Sequence, residues 1–136
     1  MKNEITVEAV TENLPQVQSF VEEHLKMAEC PLKTQVQLGV VVEEIFVNIA
    51  HYAYTPDTGR ATVRVELSGE PPGVTIMFLD SGVPYNPLDR PDPDVTLPAE
   101  ERPIGGLGIY ITKKTMDSVS YEYRNGKNIL TLRKNL

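Results

Sequence analysis

Hydrophobic and polar positions change period several times along the chain, and each change marks an element. From Glu4 to Val10 they alternate, with Ile5, Val7 and Ala9 on one side, which is the period of a strand. Thr11-Glu12-Asn13 with Pro15 is a helix-start pattern. Val17, Phe20, Val21, His24, Leu25 and Ala28 then recur on one helical stripe that ends near Cys30-Pro31. Lys33 to Ala53 predicts a second helix, with Val36, Val40, Val41, Phe46 and Ile49 toward the core. Its β-branched residues lower intrinsic propensity, but its length decides for helix. Turn chemistry at Thr55-Pro56-Asp57-Thr58-Gly59 precedes an alternating strand from Arg60 to Leu67, with Val63, Val65 and Leu67 on one face. A further strand from Val74 to Asp80, with Val74, Ile76 and Phe78 inward, completes a hairpin. From Ser81 to Arg102 periodicity stops and Pro84, Pro87, Pro91, Pro93 and Pro98 gather, a loop of a length that is commonly a functional lid. After Gly105-Gly106-Leu107-Gly108 a third helix runs to about Met116. Strands at Val119 to Arg124 and Ile129 to Lys134 then join at Asn125-Gly126, a strong hairpin turn.

The order is strand, two helices, two strands, lid, helix, two strands, without internal repeat. Hairpins supply two of the strand pairs, so the expectation is an α+β fold: a two-layer α/β sandwich with a mixed, mostly antiparallel sheet and helices on one face. The 136 residues are about one domain long, so 1–136 is read as a single domain. Nineteen acidic against thirteen basic side chains give a net charge of -6, which disfavours direct nucleic-acid binding. No window reaches the roughly 18 apolar residues of a membrane span, and the start of the chain has no apolar signal run, so a cytoplasmic protein is expected. The single cysteine, Cys30, cannot form an internal disulfide, and neither it nor a structural zinc site is expected to carry the chemistry.

Three clusters could carry chemistry. Glu44 and Asn48 lie four apart in the second helix and project from one face. A carboxylate can accept a proton and an amide oxygen is a hard ligand suited to magnesium, although an i, i+4 hydrogen bond on a solvated stripe is the plainer reading. Asp80-Ser81-Gly82 ends an apolar strand. The carboxylate suits an exocyclic amine and the glycine admits a flat ring, while a strand-ending Asx turn explains the tripeptide equally well. Ile104-Gly105-Gly106-Leu107-Gly108-Ile109 opens a helix, where backbone N–H groups and the helix dipole can receive phosphate, or where the glycines simply make a turn. His24, His51, Cys30, Tyr121 and Tyr123 read as packing or surface residues, and Lys113 and Lys114 as a solvated face.

Taken in order, Glu44-x-x-x-Asn48, Asp80-x-Gly82-x-Pro84 and Gly105-Gly106-Leu107-Gly108 resemble the boxes of the GHKL, or histidine-kinase-like, ATPase superfamily. Within it, Val40-Val41-Val42-Glu43-Glu44, Asp80-Ser81-Gly82-Val83-Pro84-Tyr85-Asn86-Pro87 and Asn128-Ile129-Leu130-Thr131-Leu132 are similar to the anti-sigma-factor serine/threonine kinases. The resemblance implies ATP and Mg2+ as cofactors. Asn48 would hold the magnesium that bridges the phosphates, and Glu44 would be the general base. Asp80 would bind the adenine amino group, Gly82 would form the floor of its site, and Thr131 would add a hydroxyl near the ring. Gly105, Gly106, Leu107 and Gly108 would contact phosphates at the hinge of an ATP lid spanning about 82–104. It implies transfer of the γ-phosphate to a serine of a STAS-domain antagonist, a sigma factor as second partner, and a homodimer. A nucleotide-responsive switch that holds partners without transferring phosphate is the alternative. Two positions depart from the pattern: Tyr52 stands four residues beyond Asn48 where members often carry His, and Ile104 precedes the glycine box where some carry Arg.

Overall fold

The computed structural model describes residues 3–69, 72–89 and 107–136, without the side chain of Leu107. Strand β1 (Glu4–Glu8) leads through a 3-10 turn at Thr11–Asn13 into helix α1 (Leu14–Met27), followed by α2 (Leu32–Tyr52). The hairpin β2 (Arg60–Ser68) and β3 (Gly73–Asp80) comes next, and a 3-10 turn at Pro87–Asp89 lies beyond it. Helix α3 (Leu107–Thr115) and the hairpin β4 (Ser118–Arg124) and β5 (Lys127–Asn135) complete the described chain. The strands form one sheet in the order β1-β2-β3-β5-β4. Every ladder in it is antiparallel. The expected two-layer α+β arrangement is therefore present, with a sheet that needs no parallel pair among the described residues.

The helix-facing side of the sheet follows the period of two. Ala61, Val63 and Val65 on β2, Val74, Ile76 and Phe78 on β3, and Leu130 and Leu132 on β5 are buried. Against them pack Val17, Val21 and Leu25 from α1, Leu38, Val41, Val42, Ile45 and Phe46 from α2, and Ile109 from α3. Removing the fully enclosed ring of Phe46 or Phe78 would cost about 3–5 kcal/mol, a large part of the stability of a domain this size.

Three apolar positions expected in the core face outward. Val36 and Val40 are exposed because α2 meets the sheet through its 38, 41, 42, 45 and 46 positions, which leaves 36 and 40 on the far side of the helix. Leu67 is exposed near the end of β2, where the β1 ladder has already ended at Arg64 and leaves that side of the strand unflanked. The Thr11-Glu12-Asn13 start signal forms its own 3-10 turn, and Asn13 Nδ2 reaches back to the Glu8 carbonyl at 2.9 Å rather than capping α1. Among the described residues, no helix is long and apolar enough to cross a membrane.

Candidate functional site

Strand register brings two polar residues together where the core gives way to a cavity. On β5, positions 128, 130 and 132 share the helix-facing side, and on β3 position 80 follows 74, 76 and 78 on the same side. The ladder sets Asp80 directly opposite Asn128. Both are nearly enclosed, at 8% and 7% exposure, and burial of that kind requires hydrogen-bond partners. Asn128 Nδ2 donates to Asp80 Oδ1 at 3.0 Å and to the Val83 carbonyl at 2.9 Å. Asn128 Oδ1 accepts from the Tyr85 N–H at 3.1 Å and from the Tyr121 hydroxyl. The Gly82 N–H closes an Asx turn onto Asp80 Oδ1 at 2.9 Å. No described residue donates to Asp80 Oδ2. Burial pushes the Tyr121 phenol above its ordinary value, and the nearby charge of Asp80 adds to the rise.

A cavity of about 420 Å³ opens beside this network. Ile45, Ile49, Phe78, Ile109 and Leu130 give it apolar walls, while Asn48, Asp80, Asn128 and Tyr121 place polar groups on it. Tyr52, Val83 and Tyr85 form an exposed rim. A concave apolar slot with a few convergent polar atoms is suited to a flat heterocycle carrying an amine, since Asp80 can offer that amine an unengaged carboxylate oxygen.

Helix α2 supplies the second part. Asn48 lies on the cavity wall, and its side chain makes no hydrogen bond to another described residue. One turn earlier, the half-buried Glu44 packs against the first turn of α3. A Cβ added at Gly108 would lie 2.7 Å from Glu44 Cδ and nearer still to Oε2. The glycine thus permits a carboxylate to occupy the space beside the helix start. At the C-terminal end of α2, the Ala53 carbonyl accepts the Val83 N–H at 3.0 Å, joining the helix to the segment that leaves β3.

Asn48 and Asp80 therefore line one cavity together with Ile109 of α3, and Glu44 lies against the neighbouring Gly108. Two expected residues take other places. Thr131 pairs with Met77 and Ser120 and falls between the inward Leu130 and Leu132, so the alternation of the strand turns it to the sheet face opposite the cavity. Gly82 is not the floor of the cavity: a Cβ there would lie 2.6 Å from the Ala53 carbonyl carbon, so its bareness serves the approach of α2 to β3. Gly105, Gly106 and the greater part of the 82–104 lid lie outside the described residues, and of Leu107 only its place at the start of α3 is described.

Asn128 and Tyr121 are the site residues that motif reading passed over. Asn128 is in phase with Leu130 and Leu132, a polar residue on an apolar strand face, and that phase was the available signal. Tyr121 and Tyr123 share a strand but not a setting: the first lines the cavity and the second is exposed. His24 packs against Phe20 with ring centroids 4.6 Å apart and Nδ1 3.0 Å from the Phe20 carbonyl, while His51 is exposed. Cys30 is buried, and burial pushes its thiol up, which fits an inert side chain. Lys114 is exposed, with its Nζ 5.5 Å from the centroid of the Tyr110 ring.

Comparison with known proteins places the chain in a family. Residues 7–134 match the histidine kinase-like ATPase domain family. The chain is similar to the serine-protein kinase RsbW of Bacillus mycoides, 30% identical over 97 residues that make up 68% of this chain and 59% of that protein. It is also similar to the serine/threonine-protein kinase BtrW of Bordetella bronchiseptica, 28% identical over 95 residues, 70% of this chain and 66% of that one. The match thus spans less than two thirds of either relative's length.

Proposed function

We propose that this chain, which belongs to the histidine kinase-like ATPase domain family, is an ATP-binding anti-sigma regulatory factor that phosphorylates a serine of a STAS-type antagonist protein. The observation that carries the reading is the convergence on one cavity of Asn48, Asp80 with an unengaged carboxylate oxygen, and the start of α3, with Glu44 beside it. The likeness to proteins named serine-protein kinases supports the reaction class.

The residues fit the groups they would hold. Asp80 Oδ1 is occupied by two donors, so Oδ2 is the atom left to accept the exocyclic amine of adenine. Among the described residues no three His, Cys, Asp or Glu side chains gather into a metal site. Asn48 would supply one hard oxygen to Mg2+, with phosphate and water as its other ligands. Bound Mg-ATP would supply the phosphoryl group and the cation that neutralises its charge. The apolar walls exclude water from the base, and Gly108 leaves room for the Glu44 carboxylate near the start of α3. In the transfer, the seryl oxygen forms a bond to the γ-phosphorus as the bond to the bridging oxygen of ADP breaks, and the hydroxyl proton passes to Glu44. Residues 1–136 act in this reading as one domain with a lid over about 82–104. The protein is cytoplasmic and homodimeric, with a sigma factor as its other partner.

The test has two stages. A thermal-shift titration with Mg-ATP, Mg-ADP and ATP plus chelator should show a magnesium-dependent stabilisation of about 2.7 kcal/mol at a hundredfold excess over Kd. Radiolabel transfer from ATP to the serine of the cognate STAS protein should follow. Absence of any shift at millimolar ATP removes the nucleotide site. Binding without label transfer leaves a nucleotide-responsive switch in place of a kinase.

A further inference from the structure

We infer that Asn128 is a positioning residue that sets nucleobase selectivity: by engaging Asp80 Oδ1 it turns the other carboxylate oxygen alone toward the cavity, so that the pocket accepts a 6-aminopurine and rejects a 6-oxopurine. The inference rests on the nucleotide reading above and adds a residue to it.

A carboxamide has two N–H donors and an oxygen with two acceptor positions. In Asn128 all four are used: Nδ2 donates to Asp80 Oδ1 and the Val83 carbonyl, at 3.0 and 2.9 Å, and Oδ1 receives the Tyr85 N–H at 3.1 Å and the Tyr121 hydroxyl. The amide cannot rotate by half a turn without setting donor against donor and acceptor against acceptor at each of these contacts. Its orientation is fixed, and it has nothing left to offer a ligand. Its effect at the 6-position of a base therefore passes through Asp80, while its bonds to Val83 and Tyr85 hold the rim.

Asp80 is held from two directions. The Gly82 N–H and Asn128 Nδ2 both bind Oδ1, which fixes the plane of the carboxylate, and no described residue binds Oδ2. With Asp80 so fixed, the described residues present an acceptor at this point and no donor. An exocyclic amine satisfies that acceptor. A 6-oxo group places its own oxygen against the carboxylate and leaves both unpaired in a poorly hydrated slot, an arrangement that hydrogen-bonding sites reject strongly. Without Asn128 the carboxylate loses one of its two anchors and can turn, letting water or the base itself rearrange around it.

The experiment compares dissociation constants of Mg-ATP and Mg-ITP, which differ at the 6-position of the purine, for the unmodified protein and Asn128→Ser. The unmodified protein should prefer ATP by on the order of 100-fold. Asn128→Ser should bring the ratio below about tenfold, mostly by weakening ATP. In an Asp80→Asn background the same substitution should move the ratio no further, as expected of two residues acting as one unit. A parallel loss of both affinities with the ratio unchanged assigns Asn128 a merely structural role and overturns the inference, as does an undiminished effect of Asn128→Ser in the Asp80→Asn background. If Asn128→Ser does not melt cooperatively, Asn128→Thr carries the comparison, since it too removes the carboxamide while its β-branched side chain suits a strand. An unmodified protein that binds neither nucleotide removes the nucleotide reading itself, an outcome distinct from an unchanged ratio.

Discussion

The Glu44 carboxylate lies against the backbone of Gly108, in space that is open to it only because position 108 carries no side chain. The atoms that an added methyl would strike are the far end of a flexible side chain, which can swing aside. Gly108→Ala should therefore fold, with an unfolding free energy within about 1 kcal/mol of the parent, while expelling Glu44 from its place. Phosphotransfer should fall by on the order of 100-fold with ATP still bound, matching Glu44→Ala. Single-turnover transfer beside a binding titration checks both variants. Unimpaired transfer in Glu44→Ala would dismiss it as the base.

A different outcome is expected at Gly82. There the added Cβ would meet the carbonyl of Ala53, which is backbone and already holds the Val83 N–H. The end of α2 and the exit of β3 would have to part, at a cost of about 1–3 kcal/mol. Chemical denaturation of Gly82→Ala without nucleotide should show this loss. A stability equal to the parent would mean that the α2–β3 contact yields easily.

Asn48→Ala removes a side chain with no hydrogen bond to a described residue and little core volume. Stability without ligand should stay within about 1 kcal/mol, while the magnesium-dependent part of the ATP thermal shift disappears. A variant that titrates with Mg-ATP like the parent would exclude Asn48 as the metal ligand.

Tyr121 gives a pH dependence. Burial raises its pKa above the ordinary phenol value of 10.0, opposed by the Tyr85 backbone and aided by the Asp80 charge, so the folded state holds the proton more firmly than the unfolded chain. The associated stability is fully present below the unfolded value and is lost as pH rises through the higher folded one. Urea melts from neutral to strongly alkaline pH should show the decline beginning near 10, and Tyr121→Phe should flatten it. An alkaline limb identical in the two proteins would assign the decline to other groups.

Much of this molecule was legible in its sequence because local periodicity and turn chemistry agree with the fold. The strand alternation of Val63 and Val65, the stripe on α1 and the Asn125-Gly126 turn all appear where the pattern places them. The limits are equally physical. A helix's spacing does not say which face meets the sheet, and Val36 and Val40 fell on the wrong one. Glu44, Asn48 and Asp80 could be found as motifs, but the motif that suggested Thr131 overlooked strand phase: a one-residue step exchanges sheet faces, so Thr131 turns away between Leu130 and Leu132, and the polar residue in phase with those two is Asn128. The partnership of Asp80 with Asn128 crosses 48 residues of chain, and only the ladder reveals it.

The sheet order also governs how the protein comes into being. β5, the last described strand in sequence, is not an edge but lies between β3 and β4. During synthesis, Asp80 emerges well before its opposite number, and β4 has no inner neighbour until residues 127–135 arrive. Closing such distant pairs is slow in entropic terms. A chain that has not yet reached β5 therefore lacks both the Asn128 partner of Asp80 and the Leu130 wall of the cavity, however complete its α2 motif and Asp80 turn.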